Sequence, residues 1–263
     1  MASRTLRSAV KHLLVLAGAL SLISTASGQA PQGHGISGFW NPGFGPAPPR
    51  REPTATEAAL MASFPDDVVV LGDAGVAEFP PGDYGGLAIH DDLREAAKDY
   101  DPEVQTTVAL TCKPPGLIYS MQGPFPIEIF EGRDMIVIKL EYFDLVRVIF
   151  MNETGHPADW PHSQTGHSIG HWEGDSLIVD TAKLQSGTLF NNGVDYTGDV
   201  HLIEQFRLAD PNTLVITQQF EDPGSFDGTA ARVLSFSRGN DHVYPYDCDP
   251  SYGIDFDARE GPK

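Results

Sequence analysis

Positive charge is scarce in this chain: 17 Lys and Arg stand against 36 Asp and Glu, a net charge of −19 at neutral pH. So acidic a surface repels phosphate backbones and anionic lipid heads, which argues against nucleic-acid and membrane-surface partners. Cysteine is scarcer still, with Cys112 and Cys248 alone. There is no CxxC and no Walker loop, so thioredoxin-like redox chemistry and P-loop phosphate binding have no sequence support. Past residue 28 no run approaches the roughly 18 to 20 apolar residues of a membrane-spanning helix.

The N-terminus reads as a secretory signal over 1–28. Arg4, Arg7 and Lys11 precede an apolar stretch from Leu13 to Ala26, and Ala26-Ser27-Gly28 suits cleavage before Gln29. Removal of those three basic residues, with no acid, takes the net charge from −19 to −22. The mature chain is then expected in the periplasm or outside the cell, with no membrane span. In that setting Cys112 and Cys248 read first as a disulfide, with a catalytic or metal-binding thiol as the alternative. The oligomeric state is not readable.

Residues 29–105 form a Gly/Pro-rich segment followed by short helices. Thr54-Ala-Thr-Glu57 has the capping-box pattern and opens a helix ending before Pro65; a second short helix fits Asp92 to Tyr100. From 106 to 263 the pattern becomes β. Strands are expected at Ile127–Phe130, Met135–Leu140, Leu145–Met151, on both sides of Gly174-Asp175, at His201–Leu208, Leu214–Glu221 and Ala230–Phe236. Eight strands at this spacing, with no helices between them, predict an all-β fold. It is an antiparallel meander closing into a lipocalin-like barrel with a helical and coil N-terminal arm; a sandwich is the alternative.

The stretch GHSIGHWEGDSLIVDT, Gly166 to Thr181, carries the chemistry. A two-residue turn at Gly174-Asp175 pairs Glu173 with Ser176, Trp172 with Leu177, His171 with Ile178, Ile169 with Asp180 and His167 with Ala182. Trp172, Gly170, Ser168, Leu177, Val179 and Thr181 then share one face. His167, Ile169, His171, Ile178 and Asp180 share the other. Asp180 lies diagonal to both histidines, where a carboxylate orients an imidazole and raises its basicity. His167 or His171 is the candidate base, Asp180 the orienter, and Glu173 a further acid; the base should titrate above free imidazole. Four of the nine histidines fall between His156 and His171, which makes His156 and His162 candidate binding residues. In a strand, His167 and His171 stand about 13 Å apart, too far for one metal ion. No metal or cofactor is expected.

Charges also sit inside apolar runs: Glu128 in PIEIF, Arg147 in LVRVI, Glu204 in LIEQF. Each is either the outward residue of a half-buried strand or part of an internally paired cluster. With Trp172 they complete the candidate binding residues.

The order CKPPG (112–116), PFPIEIF (124–130), RVIFM (147–151), GHSIGHWEGDSLIVDT (166–181), EQFRLADPNTL (204–214) and EDP (221–223) resembles a widespread family of exported bacterial proteins, most without an assigned function. The resemblance implies that Trp172, Glu173, Gly174, Asp175 and Asp180 are family features, and it implies no reaction. Three functions fit. The histidines favour a cofactor-independent lyase, isomerase or hydrolase acting on a small, fairly apolar organic molecule. A non-catalytic barrel carrying a lipophilic ligand and a structural envelope protein are the alternatives.

Overall fold

Period-two alternation builds eight strands, and the computed structural model, described here for residues 34–42, 55–72, 79–101 and 112–249, shows how a ninth closes them into a ring. The strands are β1 (Gly38–Pro42), β2 (Val68–Val70), β3 (Ala88–Ile89), β4 (Ile127–Glu131), β5 (Met135–Leu140), β6 (Val146–Phe150) and β7 (His167–Glu173). They continue with β8 (Ser176–Ala182), β9 (Gly187–Phe190), β10 (Val194–Tyr196), β11 (His201–Asp210), β12 (Thr213–Glu221), β13 (Phe226–Asp227) and β14 (Thr229–Gly239). The ring β1-β4-β5-β6-β7-β8-β11-β12-β14 closes through β14 onto β1, so nine strands form a barrel without a free edge. Three short helices accompany it, α1 (Ala55–Met61), α2 (Asp91–Ala96) and α3 (Leu117–Met121), the last buried along its whole length.

All eight expected strands are barrel strands. The ninth, β1, comes from the Gly/Pro-rich segment before residue 106, so the barrel extends beyond the 106–263 region. The sheet is mixed. Every neighbouring pair in the ring is antiparallel except β6 and β7, which run parallel, the 151–166 loop carrying the chain back toward the end at which β6 began. The helix expected after Thr54 is α1; its capping residue lies outside the described residues, as does the signal segment. The helix expected at Asp92–Tyr100 is α2, which ends early in a turn.

The β7–β8 register is the one the turn dictates, from Glu173↔Ser176 to His167↔Ala182. Gly174 adopts φ +60° while Asp175 keeps a negative φ, the pattern of a type II′ turn, whose first central position glycine fills at little cost. Cys112 and Cys248 are bridged across 136 residues, with Cα atoms 5.7 Å apart.

The barrel interior is filled by side chains. Ile127, Ile138, Val179, Phe206, Ile216, Phe220 and Phe236 are buried there. Across them runs a polar network. Arg147, fully buried, pairs with Glu204 at 2.5 Å, donates from Nε to Ser168 Oγ at 3.0 Å and from Nη2 to Thr181 Oγ1 at 2.7 Å. Gln218 Nε2 donates to Glu204 Oε1 at 3.0 Å. The inward-cluster alternative therefore holds for Arg147 and Glu204. Among the described residues no helix is long and apolar enough to cross a membrane.

Breaking a buried ion pair leaves an uncompensated charge, so Arg147→Met alone should cost about 3–5 kcal/mol, read from denaturant midpoints. Adding Glu204→Leu should recover part of that loss. Replacing Cys112 and Cys248 by Ser should lower stability by up to about 4–5 kcal/mol in the same assay.

Candidate functional site

Alternation sends the odd residues of β7 and the even residues of β8 to the outer face of the barrel. Sheet residues on that face normally meet water. Here the 151–166 loop covers the His167 end of that face, and the His171 end stays exposed. Ser163 N–H donates to Lys183 O at 3.1 Å, Gln185 N–H returns a bond to Ser163 O at 2.8 Å, and Lys183 Nζ reaches Ala158 O at 3.3 Å. The loop joins β7 at Gly166, whose φ of +61° and whose position, with a hypothetical Cβ 2.5 Å from Ala182 O, exclude other residues.

Under this loop His167 is 1% exposed. Its ring stacks on Phe150, with centroids 5.2 Å apart, and Trp160 meets it edge-on at 4.4 Å. Its Nδ1 lies 2.8 Å from His156 Nδ1, and His156 Nε2 lies 3.1 Å from Asp180 Oδ1. The same carboxylate oxygen takes His201 Nε2 at 2.7 Å. On the far side of His167, Nε2 is 3.1 Å from Glu153 Oε2, within ion-pair range but without an aligned hydrogen bond. The result is a continuous chain: His201, Asp180, His156, His167, Glu153.

Proton accounting follows from these contacts. An ionised Asp180 accepts from His156 Nε2–H, so a neutral His156 presents a bare Nδ1. That nitrogen accepts from His167 Nδ1–H, and a neutral His167 is left with a bare Nε2 facing Glu153. Protonation there gives Glu153 an ion pair and disturbs no other bond of the chain. Burial lowers the His167 pKa below the ordinary imidazole value. The Glu153 carboxylate partly offsets this and His156 adds to it. The expected upward shift is therefore reversed for His167, because desolvation outweighs the nearest carboxylate and Asp180 acts one ring away.

The other sequence candidates lie elsewhere. His171 is exposed on the same strand face, its Nε2 3.0 Å from Glu173 Oε1, outside the chain of contacts. His162 is exposed, its ring against Gly198. Trp172 faces the barrel interior at its end, stacked on His34 at 3.6 Å. Glu128 is on the outer face and accepts from Val243 N–H at 3.5 Å. Arg147 and Glu204 are committed to each other inside the barrel. The letters Gly166-His-Ser-Ile-Gly170 also match the G-x-S-x-G of a nucleophile elbow, which needs a sharp strand-to-helix turn. Ser168 instead lies within a strand, buried and bonded to Arg147 and Thr181.

Sequence reasoning missed Glu153, Trp160 and His201. The first two sit on a loop with no period. His201 is two residues before Ile203, the partner of Asp180 in the β8–β11 pairing, so it is diagonal to Asp180 once that non-local register is known. Among the described residues no cluster of three or more His, Cys, Asp or Glu is arranged to hold a metal ion. Compared with known proteins, the chain matches no family model and no curated protein.

A His167 pKa below about 6.5 makes the neutral ring the stabilised form. The contribution is complete above the unfolded-state value and is lost as pH falls from there through the folded value. NMR titration should show one histidine titrating below free imidazole. His167→Gln should flatten the dependence of stability on pH in that window.

Proposed function

We propose that the protein is an exported, cofactor-independent enzyme, a lyase, isomerase or hydrolase, that moves a proton on a small, fairly apolar organic molecule through His167. One observation carries this reading, the unbroken run of contacts Asp180–His156–His167: with His167 Nδ1–H donated to His156 Nδ1, the buried Nε2 can gain or lose a proton without breaking any other bond of that chain. A general base needs that property, and an outer-face structural histidine has no use for it.

The roles follow from position. Asp180 fixes the His156 tautomer, and His156 fixes the orientation and tautomer of His167. His201 anchors Asp180 at the solvent side. Glu153, on an exposed loop, covers Nε2 and gives way when substrate binds. Phe150 and Trp160 flank the ring and present apolar surface to the molecule that replaces Glu153. The abstracted proton rests on Nε2 and returns to a different atom of the substrate, to a leaving group or to water. A carrier would hold its ligand in the barrel lumen, which is occupied by Phe206, Phe220, Phe236 and the Arg147 network, so that alternative has less support. The resemblance of the 166–181 motif to exported bacterial proteins supports the localisation.

The test is a panel of small aryl esters, epoxides and enolisable ketones incubated in D₂O and followed by NMR. Turnover or α-deuteration should appear with at least one class and rise with pH through a value below free imidazole. His167→Gln should lose about 10²–10⁴-fold and Asp180→Asn a substantial part of that, with the fold retained. Activity indifferent to His167→Gln would refute the assignment.

A further inference from the structure

The geometry points to a second binding place, beside the β9–β10 hairpin, for a neutral, hydroxyl-bearing ring of monosaccharide size. A pocket of about 180 Å³ opens there between the hairpin and the chain leading into α3. It is smaller than the roughly 300–1,000 Å³ of sites for drug-sized ligands, so a single substituted ring fits it better than a larger molecule.

Its walls decide the chemistry. Tyr100, Tyr119 and Phe190 supply aromatic surface, against which the C–H face of a saturated ring packs. Phe190 is held in place by Arg232, whose guanidinium carbon lies 5.6 Å from the ring centre and whose Nη2 donates to Leu189 O at 3.0 Å. Between the aromatic groups stand Lys113, Asn191 and Asp195. The Tyr100 hydroxyl donates to Asn191 Oδ1 at 2.6 Å, which commits that oxygen and presents the amide N–H₂ as a donor. Asp195 is an acceptor. Enough protein surrounds its carboxyl group that desolvation raises its pKa, offset by Lys113 and by a hydrogen bond from Thr188.

The formal charges of Lys113 and Asp195 cancel, in a chain whose net charge is −19. A cation meeting Asp195 also meets Lys113, and an anion meets the reverse, so neither sign gains much. Donors and acceptors set among aromatic faces, with no net charge, match a ring bearing several hydroxyls, each of which can both donate and accept. No residue of this pocket belongs to the His167 chain, so the inference stands apart from the proposed catalysis.

The experiment is ¹H–¹⁵N NMR of the full chain titrated with methyl β-D-glucopyranoside and methyl β-D-galactopyranoside, with glucosamine as the cation and glucuronate as the anion. The expected result is saturable shifts at Thr188, Asn191, Gly193 and Asp195 with at least one neutral glycoside in the millimolar range, and weaker binding of both charged sugars. Asp195→Asn should weaken the neutral ligand about tenfold, as loss of a hydrogen bond to a charged group does. Asn191→Ala, outside the barrel strands, gives a second reading of the same loss. Absence of saturation with either neutral glycoside, preference for a charged sugar, or affinity unchanged in both variants would overturn the proposal.

Discussion

Pairing Glu173 with Ser176 across the Gly174-Asp175 turn decides which side of the sheet every residue of two strands faces. A slip of one residue would exchange the two rows. Ser168 and Thr181 would leave Arg147 without its hydroxyl partners inside the barrel, and His167 and Asp180 would enter an apolar interior. The buried Arg147 therefore favours the observed register, since a misaligned hairpin would take away its hydrogen bonds to Ser168 and Thr181 in a low-dielectric interior. The inner network and the outer histidine chain are two consequences of one alignment.

Outer-face residues become a site only because something covers them. The 151–166 loop does this, and it exists because β6 and β7 run parallel and need a long return. It brings His156 over β7, places Trp160 against His167 and carries Glu153 to Nε2. The covering loop also sets the electrostatics. Desolvation pushes the His167 pKa down, His156 adds to that, and Glu153 offsets part of it.

Local rules made much of this legible. The period-two runs, the turn at Gly174-Asp175, the resulting facing of His167 and Asp180, and the cysteine pair all rest on short-range or compartment arguments that tertiary structure leaves unchanged. What escaped depends on non-local packing. β1 hides in a stretch whose Gly and Pro content reads as coil, and only closure against β14 and β4 makes it a strand. The hairpin register puts Asp180 diagonal to His167 and His171, but its carboxylate turns to His156 from the loop and His201 from β11. Neither neighbour can be placed before the loop fold and the β8–β11 register are known. The functional reading shifts accordingly, from a histidine–aspartate pair to a relay with one ring interposed.

The central claim is that His167 holds its proton on Nδ1 and leaves Nε2 bare. Long-range ¹H–¹⁵N correlation of the imidazole rings at neutral pH tests it without a substrate. The account predicts a pyridine-like Nε2 and a protonated Nδ1 on His167, with the opposite tautomer, Nε2–H, on His156. A His167 protonated on Nε2 alone, or an imidazolium at neutral pH, would contradict the proton accounting on which the proposed chemistry rests.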